Sequence, residues 1–223
     1  MDELADRYPA LNGGALCLDF ANTLEPKAEH GQDRDHLGTD RRHADHAGLL
    51  AWLEYAQVID DGERRQLTAL ARQSPPTADD AVAAAVDLRA AVTAVFSALA
   101  AHAALPPDAH RLRDAYARAV KAATLEPATM GLQWSWNRSA ELMAPLHLIA
   151  VSAAELATST TLARVKQCDG ENCWVLFIDT SKNASRRWCQ MRYCGNVAKS
   201  HRQAARRRQA RAASSPRHMP PRH

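Results

Sequence analysis

Cys168-Asp-Gly-Glu-Asn-Cys173 and Cys189-Gln-Met-Arg-Tyr-Cys194 repeat one spacing, four residues between the cysteines of each pair and fifteen between the pairs. Zinc prefers four soft or borderline ligands in a tetrahedron, and each short loop lets two thiolates converge on one ion. With sulfur in all four places no position stays open for water, so the expected cofactor is a single structural Zn2+ ion. Two other readings of the same residues stand beside it. They could be a chance cluster, or a redox-sensitive set whose oxidation releases metal. The symmetric spacing favours metal, as does the start MDELADRYPA, which lacks the basic and apolar run of a signal peptide and points to a reducing, cytoplasmic setting. Cys17 stands apart from the cluster.

The residues around the pairs extend this reading. Trp174-Val-Leu-Phe-Ile178 is rich in strand formers and Asp179-Thr-Ser-Lys-Asn183 is turn material, which predicts a hairpin-like connection between the two knuckles. So small a module cannot fold on burial alone, and zinc would supply on the order of 10 kcal/mol of its folding free energy. From Gly195 to Arg211 the chain has good helix formers and no proline. Lys199, Arg202 and Arg206 fall at three- and four-residue steps and share a helix face, which Arg207, Arg208 and Arg211 widen. Arg186, Arg187 and Arg192 add charge inside the cysteine module.

Charge separates the chain into unlike parts. Residues 160–223 hold 14 Lys/Arg against 3 Asp/Glu, leaving residues 1–159 with a net charge of −8 out of an overall +3. The basic part suits a polyanion, and counterion release would make its affinity fall steeply with salt. The bland alternative is a solvated charge run. Double-stranded DNA is the expected partner because a rigid knuckle can fix the helix against a groove, while RNA stays open without an evident aromatic platform for unstacked bases.

Upstream, alanine-rich segments broken by prolines predict a mainly α fold with a few short strands. Helices are expected over about 45–58 with Asp45 as N-cap, 60–73, 78–102 after Ser74-Pro-Pro-Thr77, from Leu105-Pro-Pro-Asp108 to about 123, and 139–160. Pro145 either kinks the last of these or marks its first turn. Residues 129–136 read as a short strand with Trp134 and Trp136 at its core and edge, and Glu25–His46 reads mostly as a loop. Leu16–Leu24 fits a strand or a buried helix start equally well. The expected organisation is a helical domain over residues 1–160, a four-cysteine finger of short hairpin plus basic helix over 161–212, and a disordered tail over 213–223.

Leu162-Ala-Arg-Val-Lys-Gln-Cys168, Trp174 to Asn183, Ser185-Arg-Arg-Trp-Cys189 and Met191-Arg-Tyr-Cys-Gly-Asn196 resemble the CGNR zinc finger of bacterial regulators. Gly13-Gly-Ala-Leu-Cys-Leu-Asp-Phe-Ala-Asn-Thr-Leu24, with Leu49-Leu-Ala-Trp-Leu53, resembles the ABATE domain that precedes it. The resemblance implies a stress-responsive transcription regulator whose finger binds DNA and whose helical domain senses a small-molecule or protein effector. It departs at one place, since Val197 stands where the family motif ends in arginine. Asp19, Asn22 and Thr23, polar in an apolar motif, could line a ligand pocket, or equally cap a helix or close a turn. No Gly-rich phosphate loop, nucleophile elbow or zinc-protease motif points to an enzyme, and no stretch of about 18 apolar residues points to a membrane. A homodimer would suit a symmetric operator. The rival to a DNA-binding regulator is a protein-interaction adaptor that docks its basic finger on an acidic partner.

Overall fold

The computed structural model describes residue 8, residues 10–25 and residues 33–214, with side chains to 209; of the tail expected over 213–223, residues 213 and 214 belong to the last helix and the rest lies outside the described residues. The amino-terminal part is built from helices α1 (Leu16–Ala21), α2 (His46–Tyr55), α3 (Asp61–Gln73), α4 (Pro75–Ala100), α5 (His110–Ala122) and α6 (Ala144–Thr158). Local chemistry explains their starts. Asp45 accepts the backbone N–H of Gly48 at 2.8 Å, and Asp60 with Glu63 forms a reciprocal capping box. Pro145 lies in the first turn of α6, where a missing N–H costs nothing.

The break expected at 74–77 is shorter than its prolines suggest. Ser74 is the N-cap and both Pro75 and Pro76 belong to the first turn of α4, so α3 and α4 are joined by one residue and Thr77 does not cap. α4 has the length and apolarity of a membrane span, but it is the central core helix, burying Ala81, Ala85, Leu88, Val92, Val95 and Phe96 among its neighbours. It also carries buried Arg89, whose guanidinium donates to both oxygens of Asp35 at 2.7 and 2.6 Å and to Thr23 Oγ1 at 3.1 Å. Asp35 comes from the Glu25–His46 stretch, which is therefore more than a loop. Its described part forms the strand pair β1 (Leu24–Glu25) and β2 (Arg34–Asp35) and sends Asp35, His36 and Leu37 into the interior.

Residues 124–135 form a hairpin of β3 (Thr124–Ala128) and β4 (Gly131–Ser135), so the expected strand has a partner that Pro127 concealed. Gly131 turns the chain at φ +95°. Leu125 pairs with Trp134 and Pro127 with Leu132 on one face, and Leu125, Leu132 and Trp134 are exposed. Trp134 is thus not core, whereas the half-buried Trp136 donates its indole N–H to the Ala119 carbonyl at 2.8 Å.

A 3-10 turn (Thr160–Arg164) leads to β5 (Val165–Gln167), which pairs antiparallel with β6 (Leu176–Ile178). Both cysteines of the first pair lie in the loop between these strands, so the hairpin encloses the first knuckle instead of linking the two. Alternation along β6 divides its side chains between two cores. Leu176 and Ile178 join the main helical core, while Val175 and Phe177 face the cysteines. The outer edge of β6 is also taken. Asn22 donates its amide to the Leu176 carbonyl and accepts the Leu176 N–H, both at 2.9 Å, and Ile178 N–H donates to the Gly13 carbonyl at 2.8 Å. Gly13 and Asn22, which flank helix α1, thus supply what a third strand would give.

Candidate metal centre and nucleic-acid interface

The sulfurs of Cys168, Cys173, Cys189 and Cys194 all lie within 4.8 Å of one another. Cys189 Sγ is 3.8 Å from that of Cys173 and 3.7 Å from that of Cys194. Zinc–sulfur bonds of about 2.3 Å set the edge of a sulfur tetrahedron at about 3.8 Å, whereas a disulfide needs about 2.05 Å. The donor set therefore fits one structural zinc ion. Backbone N–H groups of Gly170 and Cys189 point at Cys168 Sγ at 3.4 and 3.2 Å, the kind of support that holds a thiolate ligand in place. A Cβ on Gly170 would sit 3.0 Å from Cys194 Sγ and 3.1 Å from Cys173 Cβ, so any larger residue there would crowd the sulfur cluster.

Four sulfurs this close cannot all carry charge without a cation among them. Hydrogen bonds from the Cys173 and Cys189 thiols draw Cys168 down to about 2, and the same contacts push Cys173 up to about 12 and Cys189 far above its ordinary value. A divalent ion removes that conflict, because a coordinating thiol is deprotonated outright.

The second pair is positioned by a polar hub under Asp179, which is fully buried. Its carboxylate accepts Lys166 Nζ at 2.7 Å, Ser181 Oγ at 2.6 Å, Ser181 N–H at 2.9 Å and Arg186 N–H at 2.9 Å. Burial opposes the charge, but hydrogen bonds from Lys166 and Ser181 hold the carboxyl well below the usual carboxylate range. Arg186 is consumed by the same framework. Its guanidinium lies 4.3 Å over the Phe177 ring and donates to the carbonyls of Trp188, at 3.1 Å, and Cys189.

Cys194 lies in a π-helical turn (Met191–Gly195) that runs into helix α7 (Asn196–Ser214). Its first turns are fastened to the finger, His201 pairing with Glu171 at 3.2 Å and Arg202 lying 5.8 Å over Trp188. From Gln203 to Gln209 all but Ala204 are exposed. Among the described residues no carboxylate pairs with Lys199, Arg202, Arg206, Arg207 or Arg208, and all five are exposed. At 100° per residue Lys199, Arg202 and Arg206 do share a face, while Arg208 falls opposite Lys199, so the charge encircles the helix rather than widening one stripe. Arg192 is exposed over Tyr193 at 4.9 Å, and Arg187 pairs with Asp169 at 2.7 Å. The structure thus sets Arg192 and the α7 cations in solvent and turns Arg186 inward, a division that no local signal marks.

The three polar residues of the α1 motif have internal partners. Asn22 holds β6, Thr23 donates to the Phe20 carbonyl at 2.7 Å and receives Arg89, and Asp19 accepts the Gly13 N–H at 2.8 Å. Burial raises the Asp19 carboxyl to about 6, against the lowering effect of that bond.

A helical domain sharing its core with a closed four-sulfur finger defines a two-part protein in which metal site and helices are one structure. Comparison with known families agrees. Residues 14–160 match the ABATE model, described as "Putative stress-induced transcription regulator", and residues 164–207 match the CGNR zinc finger. The chain belongs to the ABATE family and carries a CGNR zinc finger. No curated protein shows significant similarity to it.

Proposed function

We propose that this protein is a transcription regulator that binds double-stranded DNA through its finger and helix α7, with residues 1–160 as the sensing domain and 161–212 as the DNA-binding head. The observation that carries the reading is the group of exposed, unpaired cations on a helix whose first turns are clamped to a zinc-ordered knuckle. Such a helix presents guanidinium forks to phosphates and base edges without spending zinc-site charge on them. Arg192, Lys199, Arg206, Arg207 and Arg208 are the contact set, with Arg202 partly engaged by Trp188 and Arg187 by Asp169. Val197 is 50% exposed, so the arginine usual at this position would add a cation to the same surface.

The test is binding of a labelled duplex by the zinc-loaded full chain across a salt series. Five phosphate contacts predict a slope near −4.5 in log affinity against log salt, or roughly 500-fold weakening from about 50 to about 200 mM. Retention that is weak and indifferent to bulk competitor would instead support the adaptor reading. That alternative is favoured by one observation, the exposed Trp174, Met191, Tyr193 and Val197 in and beside the finger.

A further inference from the structure

A cavity of about 370 Å³ opens where α4, α5 and α6 meet. Its floor is apolar, formed by Leu88, Ala115, Leu146 and Ala150, and its volume falls in the lower range of small-molecule sites. Alanine is what leaves it open, because Ala84, Ala115 and Ala150 project one carbon where a leucine would close the gap between helices. Close-packed interiors do not keep such space without cost.

The rim is charged in a pattern that runs against the domain around it. Residues 1–159 carry a net charge of −8, yet Arg118 and Lys121, three apart on one face of α5, both border this cavity. Among the described residues neither makes a hydrogen bond or ion pair. His147 also lines the rim, where burial favours its neutral form against the opposing pull of Glu141 and with a smaller push from Arg118. Glu141 is the one carboxylate there, and it disfavours a second negative charge on an occupant.

We propose that this cavity binds a small monocarboxylate with an apolar body, its carboxylate held by Arg118 and Lys121 and its body lying between Leu88, Leu146 and Ala150. The guanidinium fork matches a carboxylate in two parallel hydrogen bonds, and the second cation adds charge without requiring a second acid. The site has a route to the finger. α6 accepts the Cys17 N–H through Ser152 at 3.2 Å, and the helix that begins beside Cys17 ends at Asn22, which holds β6. The assignment does not depend on DNA binding, since its test reads the acid alone.

Calorimetric titration of the zinc-loaded full chain with octanoate and with 1-octanol separates the two parts of the claim. Octanoate is expected to bind at one site, and the alcohol at least about tenfold more weakly. In the Arg118→Gln/Lys121→Gln variant, both exposed positions, octanoate affinity falls at least about tenfold while that for the alcohol is unchanged. Ala150→Leu fills the floor and abolishes binding of both. No octanoate binding up to roughly 5 mM, or equal affinity in the rim variant, overturns the proposal.

Discussion

Replacing Asn22 with alanine tests whether the finger is anchored on the helical domain. The Asn22 side chain satisfies both the N–H and the carbonyl of Leu176, each at 2.9 Å, and Leu176 is fully buried. A neutral hydrogen bond contributes about 1 kcal/mol net, but stranding a buried partner costs about 1–3 kcal/mol. Two stranded groups, partly relieved by water at a half-buried site, give an expected loss of about 2–4 kcal/mol. Urea unfolding of the zinc-loaded chain would report it twice, by far-UV circular dichroism for the helices and by zinc release to a chromophoric indicator for the finger. Because Val165, Leu176 and Ile178 share the helical core, both probes should shift together. Asn22→Asp keeps the acceptor for the Leu176 N–H, loses the donor to its carbonyl and should cost at least as much. A loss below about 0.5 kcal/mol, the range of an ordinary surface change, would refute the anchor.

Gly170→Ala should weaken zinc by roughly 5- to 150-fold, since the added Cβ meets Cys194 Sγ at 3.0 Å and overpacking costs about 1–3 kcal/mol; competition against a chromophoric chelator measures it, and unchanged affinity would mean that the loop is not packed as described. Stripping the metal with a chelator should unfold the finger around Phe177, seen as loss of amide-exchange protection at Cys168, Phe177 and Cys189, with the α4–α6 core retained. Asp19 has a native pKa raised from 3.8 to about 6, so the native state holds more protons than the unfolded chain between these values. Its contribution is present below about pH 4 and is lost as pH rises through 6, by at most about 3 kcal/mol; Asp19→Asn should flatten that fall in stability curves measured from pH 4 to 7.5. Arg89→Met leaves buried Asp35 unpaired and should destabilise by about 3–5 kcal/mol in thermal or urea unfolding, whereas a loss under about 1 kcal/mol would show that the pair is dispensable.

The zinc ligands, the Asp45-capped helix start and the basic helix were legible in the sequence because each depends on residues a few positions apart. A short cysteine loop presents two sulfurs by itself, a capping aspartate reaches its own helix, and arginines at three- and four-residue steps share a face in any helix. Pro127 hid β3, because a residue without an N–H argues against strand until a partner strand is seen. The Asp35–Arg89 pair was equally invisible, since polar residues in a connecting segment give no local sign of the helix 54 positions away that buries one of them.

Sequence alone therefore determined that four thiolates and a run of cations would adjoin one another. Tertiary structure decided what that adjacency is for. It turned Arg186 inward over Phe177 to brace the second knuckle, left Arg192 and the α7 cations in solvent, and gave the two faces of β6 to different cores. It also spent Asn22 on the strand edge. Those outcomes depend on which distant surface closes over a side chain, and burial and pairing of that kind exist only once the chain has packed.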